Sequence, residues 1–130
     1  MQPNGPHGPD TYLVVVADFV VLQDLADAIR GFDPEAVILT HSARADALAS
    51  LEAHDRISVA FVEAGPELVE ASKLDVAVEQ RGGRLVLLGD DAEAELEAGS
   101  PLISDWLVMP RPFSNRTILN WLAPGGDAKT

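Results

Sequence analysis

The chain has 130 residues, 47% of them hydrophobic, which is enough apolar material for one sizeable core but hardly for two. Its formal net charge of −12, from 21 acidic and 9 basic residues, repels phosphate backbones and anionic lipid, so we expect no direct role on nucleic acid or membranes. The absence of cysteine excludes disulfide frameworks, thiolate zinc sites and cysteine nucleophiles. The first ten residues are polar and rich in proline and glycine, and no apolar run approaches membrane-spanning length, so we expect a cytoplasmic protein without an export signal.

Apolar runs alternate with amphipathic stretches along the chain, which predicts strands and helices in alternation. The predicted strands are 12–17, 36–40, 57–62, 84–88 and 103–109. The predicted helices are one that ends at Gly31, one over 43–52 with Ser42 as its N-cap, one over 67–80, one over 90–99, and a last one with Ser114 as its N-cap. We expect a disordered arm at 1–10, one domain at 11–123 and a flexible tail at 124–130, because both ends have little apolar content.

Five such strand–helix units favour an α/β fold with a doubly wound, five-stranded parallel sheet of the flavodoxin-like type. Right-handed crossovers that cover both faces favour the strand order 2-1-3-4-5. In that order the loops at the carboxyl ends of strands 1, 3, 4 and 5 converge at one edge of the sheet. We therefore expect Asp18, Glu63, Gly89 and Arg111 to line one site.

Three short motifs lie at these strand ends: VVADF after the first strand, SVAFVE in the third, and RPF after the fifth. In this order they resemble the receiver domain of response regulators, the CheY-like family of two-component signalling, from Thr11 to Leu122. The resemblance implies an acidic pair that binds Mg²⁺, a phosphoacceptor aspartate, a hydroxyl residue after the fourth strand and a lysine before a proline. It also implies that the peptide bond between Arg111 and Pro112 is cis and aims Arg111 at Asp18 and Glu63.

Almost every functional position departs from the family pattern. Ala17 stands where the first acid of the metal pair is expected, and Glu63 replaces the phosphoacceptor aspartate with a carboxylate one methylene longer. Gly89 replaces the hydroxyl residue, Arg111 replaces the lysine, and Val108 stands where an aromatic residue is often found. These changes predict a degenerate site that does not carry out ordinary phosphotransfer.

Two interpretations of the acids at this site stay open. Glu63 mimics the phosphorylated state and pairs with Arg111, or it is a solvated acid at the end of a strand. Asp18 and Glu63 together form a weak Mg²⁺ site; without metal, Arg111 neutralises both acids. No other cofactor is expected.

The resemblance also implies a docking or dimerisation face built by the fourth helix, the fifth strand and the fifth helix. Trp106 and Trp121 fall on these elements, next to the acidic stretch 90–97. An exposed tryptophan there is a candidate partner anchor; alternatively, both are core or edge residues.

Three functions follow as hypotheses. The leading one is a receiver-like domain without enzymatic activity that binds a histidine kinase, another regulator or its own copy. The second is a sensor in which Arg111 and the strand-end amides hold a small anion or nucleotide. The third, a flavodoxin-like enzyme, lacks a recognisable nucleophile or cofactor loop.

Overall fold

The computed structural model describes residues 10–99, 106–111 and 114–122. The strands are β1 (Thr11–Val15), β2 (Val37–His41), β3 (Val59–Glu63), β4 (Arg84–Leu88) and β5 (Leu107–Val108). The helices are α1 (Phe19–Phe32), α2 (Arg44–Leu51), α3 (Pro66–Ser72), α4 (Leu74–Gln80), α5 (Asp90–Ala98) and α6 (Asn115–Leu122). The expected arm up to residue 9, the tail 124–130, the start of the last predicted strand and the peptide bond before Pro112 lie outside the described residues.

The sheet has five parallel strands in the order β2-β1-β3-β4-β5, which confirms the predicted fold class and strand order. β1 and β3 are neighbours, with Val15 beside Val62, and β3 pairs with β4 so that Glu63 lies beside Leu88. This register brings the residues that follow β1, β3 and β4 to one edge of the sheet, where the predicted site lies.

The core consists of two layers, one on each face of the sheet. Leu13 and Val15 of β1 point into the layer covered by α2, α3, α4 and α5, while Val14 points into the layer covered by α1 and α6. Burial on both faces explains why the strands read as continuous apolar runs rather than as alternating ones. Trp121 is 4% exposed in the second layer, so of the two alternatives for this position it is a core residue and not an exposed anchor.

The single helix predicted over 67–80 is divided into α3 and α4. The break is at Lys73, which adopts a left-handed conformation with φ of 64°. Val69 and Leu74 are both fully buried, yet five residues apart they would face different directions on a continuous helix. The break therefore allows both helices to pack on the sheet.

Two predicted helix boundaries are also wrong. Gly31 does not end α1, which continues to Phe32, and the amide of Asp33 donates to the carbonyl of Ile29 at 2.8 Å. Ser42 does not cap α2, because Ala43 occupies the N-cap position and no side chain there accepts a hydrogen bond. Each boundary is displaced by one residue, because a local signal of about 1 kcal/mol places a helix end only to within a residue or two.

Local signals identified other boundaries correctly. Gly99 ends α5 with φ of 65°, and the hydroxyl of Ser114 accepts from the amide of Thr117 at 3.3 Å at the start of α6. Strand β4 has the predicted bounds. In the described ranges, no helix has the length and hydropathy needed to cross a bilayer.

Candidate functional site

The carboxylate of Glu63 connects the ends of two neighbouring strands. Glu63 is the last residue of β3, and its Oε1 accepts a hydrogen bond from the amide of Ala17 at 2.9 Å. Ala17 follows β1, which pairs with β3. The extra methylene of glutamate therefore lets the Glu63 carboxylate reach the backbone amide of Ala17.

Gly89 makes room for the Glu63 side chain. It has φ of 98°, a conformation that residues with a side chain rarely adopt. A Cβ atom at position 89 would lie 2.8 Å from the Cγ of Glu63, well inside contact distance. A hydroxyl residue at this position therefore requires both a strained backbone and a displaced Glu63.

Asp18 caps the helix that follows it. Its Oδ1 accepts from the amides of Val20 at 2.9 Å and Val21 at 3.4 Å, which are otherwise unsatisfied donors in the first turn of α1. The side chain of Asp18 is thus committed to α1, although its position in the sequence matches a metal-binding acid.

Arg111 binds the first turn of α5. Its Nε donates to Oε2 of Glu93 at 2.9 Å, its backbone amide donates to the same oxygen at 3.0 Å, and its Nη2 pairs with Asp90. In the described part of the chain, neither Asp18 nor Glu63 is an ion-pair partner of Arg111. The expectation that Arg111 neutralises those two acids is therefore wrong.

Charge and geometry explain this pairing. The planar guanidinium offers several donors in fixed directions, and two carboxylates in one helical turn meet them together. The hydrogen bond from Arg111 lowers the pKa of Glu93, and the contacts with Glu93 and Asp90 raise the pKa of Arg111. Sequence reasoning missed this role of Asp90 and Glu93, although an acidic helical turn directly after a central strand was a usable signal.

The architecture was compared with that of known proteins. No protein-family model and no curated protein sequence matches this chain. The chemotaxis response regulator CheY4 of Vibrio cholerae superimposes with a TM-score of 0.64 at 18% identity, over 88% of this chain and 96% of that one. The chain has a receiver-domain fold.

Two further solved structures share this receiver fold. One is a response regulator receiver modulated diguanylate cyclase from Pelobacter carbinolicus, with a TM-score of 0.62 at 15% identity over 86% of this chain and 87% of that one. The other is a response regulator receiver protein from Sinorhizobium medicae, with a TM-score of 0.59 at 15% identity over 88% of this chain and 91% of that one. At these identities the likeness concerns the fold.

The carboxylates at this edge of the receiver fold do not fit a magnesium site. Asp18 and Glu63 each accept from backbone amides, and position 17 is alanine. Across the ranges that the structure describes, no group of three or more His, Asp and Glu side chains is arranged to hold a metal ion. Mg²⁺ takes oxygen ligands in near-ideal octahedral geometry, and here one oxygen of each of the two carboxylates already accepts a backbone hydrogen bond.

Three residues of the predicted site are brought together: Ala17, Glu63 and Gly89. Asp18 and Arg111 lie at the same edge of the receiver fold but are bound to α1 and α5. Trp106 is half-buried against the core layer under α2 to α5, and Val108 is 8% exposed within that layer. The site is therefore a small, internally bonded group rather than an open pocket of charged side chains.

Proposed function

We propose that this chain is an atypical receiver domain of two-component or phosphorelay signalling that acts in the cytoplasm by protein–protein contact, without phosphorylation and without enzymatic activity. Its partner is a histidine kinase, another signalling protein or its own copy. The carrying observation is that the Glu63 carboxylate, at the position of the phosphoacceptor, is bonded to the amide of Ala17 and packed against Gly89.

The geometry around Glu63 opposes its use as a nucleophile. Attack on a phosphodonor needs a free oxygen aligned with the leaving group, with the developing charge neutralised by metal and a cation. Here one carboxylate oxygen accepts a backbone hydrogen bond, so only the second oxygen is available for attack. The nearby carboxylates do not fit a Mg²⁺ site, and Gly89 has no hydroxyl to hydrogen-bond a phosphoryl group.

Arg111 supports the same proposal. The cation that meets a phosphoryl group in the family is here bound by Glu93 and Asp90 of the same chain. These internal carboxylates hold the end of β5 and the start of α5 together without any modification. A sensor for small anions needs Arg111 as a free cation, so its two ion pairs favour the interaction module.

The test is incubation with acetyl phosphate and Mg²⁺, followed by mass spectrometry of the intact protein and by amide NMR spectra. We expect no covalent adduct on Glu63 and no Mg²⁺-dependent change in the spectra. A receiver domain with an intact phosphoacceptor aspartate, treated in parallel, shows that the donor is active. An adduct on Glu63, or a structural change that needs Mg²⁺ and the donor, contradicts the proposal.

A further inference from the structure

We propose that the groove between α3 and α5 is a docking site for a basic, amphipathic segment of another protein. This inference rests on the proposed function and names the surface and the chemistry of the partner. It concerns the α3 side of α5, whereas the face expected from the family resemblance lies on the side of β5 and α6.

The groove has a volume of about 300 Å³. Residues 65–68 line it from the start of α3, and Asp91, Ala94 and Glu95 line it from α5. The two helices approach closely at its base, because a Cβ atom on Gly65 would lie 3.4 Å from the Cβ of Asp91. The start of α3 and the first turns of α5 therefore face each other across the groove.

The wall of the groove offers an apolar contact. Leu68 is 44% exposed although it is a large hydrophobic residue, and Ala94 on the facing helix is exposed as well. Pro66, which begins α3, is buried beneath them. An apolar side chain of a partner gains contact area here by covering Leu68.

The rim of the groove is negatively charged: among the described residues that line it, every charged one is acidic. Glu67, Asp91 and Glu95 line it, and none of the three takes part in a salt bridge among the described residues. Two other acids of α5, Asp90 and Glu93, form ion pairs with Arg111. Helix α5 thus has a cation bound on its side towards β5 and, among the described residues, none in an ion pair on its side towards the groove.

The negative net charge of the chain favours a basic partner over a second copy. A second copy also carries −12, so like charges oppose self-association through this rim. Asp91 and Glu95 are four residues apart, about 6 Å along the helix, and so lie on one face. A segment with Lys or Arg about one helical turn apart and an apolar residue between them matches both the acids and Leu68.

The probe is a synthetic helical peptide of about 14 residues in which lysines recur every third or fourth position among leucines. Its affinity for the full chain is measured by fluorescence anisotropy without a phosphodonor. The groove triple, Glu67→Gln with Asp91→Asn and Glu95→Gln, is compared with a control triple, Asp46→Asn with Glu52→Gln and Glu79→Gln. Both triples replace one Asp in a first helical turn and two Glu, at exposed or half-exposed positions that form no salt bridge within the described ranges.

We expect the groove triple to weaken binding about tenfold and the control triple about twofold or less. Leu68→Ala weakens binding as well, whereas Leu96→Ala, which changes a leucine of equal exposure outside the groove, leaves it unchanged. A peptide with glutamine in place of lysine binds weakly to all variants. Amide signals of Gly65, Glu67, Leu68 and 91–95 shift on titration.

Equal weakening by the two triples, or no binding to the wild-type chain, overturns the proposal. So does a wild-type dimer that the groove triple dissociates, because the occupant is then a second copy. The titration is repeated with acetyl phosphate and Mg²⁺. Binding that appears only with the phosphodonor contradicts the proposed function, whereas equal effects of the two triples contradict the groove alone.

Discussion

At the scale of single residues, the site depends on how Ala17, Glu63 and Gly89 fit one another. Glutamate reaches the amide of Ala17 because it is one methylene longer than aspartate, and its Cγ then occupies the space beside position 89. Glycine at 89 satisfies both the space and the positive φ. Two departures from the receiver pattern, Glu63 and Gly89, therefore describe one local arrangement, in which position 17 takes part through its backbone amide.

We expect Gly89→Ala to lower the free energy of unfolding by about 1–3 kcal/mol, from the positive φ and the contact with Glu63. In a Glu63→Ala background the same change costs about 1 kcal/mol less, because the contact is gone. Urea denaturation of the four proteins measures the coupling. Gly31→Ala, where nothing lies within 4 Å, is the control and is neutral or slightly stabilising. Equal costs in both backgrounds contradict the coupling.

Tyr12 is a second residue whose buried environment has a measurable effect, in this case on the pKa of its side chain. It is 2% exposed, and burial, together with Asp10 and Asp33, raises its pKa from 10.0 to about 12. A raised pKa in the folded state stabilises the protein below pH 10, and this stability is lost as the pH rises towards 12. Because the chain has one tyrosine, the near-ultraviolet absorbance of tyrosinate reports this group alone. Tyr12→Phe removes the signal and flattens the alkaline loss of stability; titration near pH 10 in the folded protein contradicts the assignment.

At the scale of elements, two features distinguish the helices from the simplest α/β pattern. The break at Lys73 rotates α4 so that Leu74 and Val78 are buried together with Val69 of α3. Arg111 joins the end of β5 to the start of α5 through Glu93 and Asp90. The break at Lys73 allows both helices to pack on the sheet, and the ion pairs of Arg111 hold α5 beside the site.

Lys73→Gly should raise the free energy of unfolding by about 0.5–1 kcal/mol, because glycine adopts the left-handed conformation without the steric cost that lysine bears. Thermal and urea unfolding measure the change. Lys73→Ala serves as the control and changes stability by less than about 0.5 kcal/mol, since alanine bears a similar cost. A destabilised Lys73→Gly protein shows that the break is not strained.

The ion pair between Arg111 and Glu93 predicts that the stability of the protein depends on pH in the acid range. The pKa of Glu93 is lower in the folded state than its ordinary value of 4.5, mainly through the hydrogen bond from Arg111. Its contribution to stability is therefore present above pH 4.5 and is lost as the pH falls through the folded-state pKa. We expect Glu93→Gln to show a shallower loss of stability on acidification. Glu97→Gln, an exposed acid of the same helix without a salt bridge in the described chain, keeps the wild-type slope. Parallel slopes for all three proteins contradict the ion pair.

At the scale of the whole molecule, the two-sided sheet and the net charge act together. Both faces of the sheet are covered, so the apolar runs are buried and the acids collect on the helices and at the edges. Self-repulsion at −12 opposes compactness and also favours association with basic partners.

Salt should therefore stabilise the molecule. Raising the ionic strength from about 0.01 M to about 0.15 M shortens the screening length from about 30 Å to about 8 Å, and we expect Tm to rise by a few degrees. Differential scanning calorimetry measures the change. The control triple at Asp46, Glu52 and Glu79 should show a smaller rise, since three negative charges are absent. A Tm that falls with salt means that local ion pairs outweigh the net repulsion.

The sequence by itself determined the order of elements, the parallel sheet and the ends of several helices. Continuous apolar runs mark strands buried on both faces, and signals such as Gly99 and Ser114 act within one helical turn. It also identified the positions that meet at the carboxyl edge, because strand order places them there. These features depend on local chemistry and on the small number of allowed topologies.

Only the tertiary structure decided which partner each charged group takes. Sequence order left Glu63 and Asp18 as candidate partners of Arg111, and the placement of α5 pairs it with Glu93 and Asp90 instead. Likewise, the packing of α6 turns Trp121 inward, although an amphipathic pattern alone allows either a buried or a docking face. Side-chain partners depend on ångström distances between elements remote in sequence, and those distances are set when both faces of the sheet are packed.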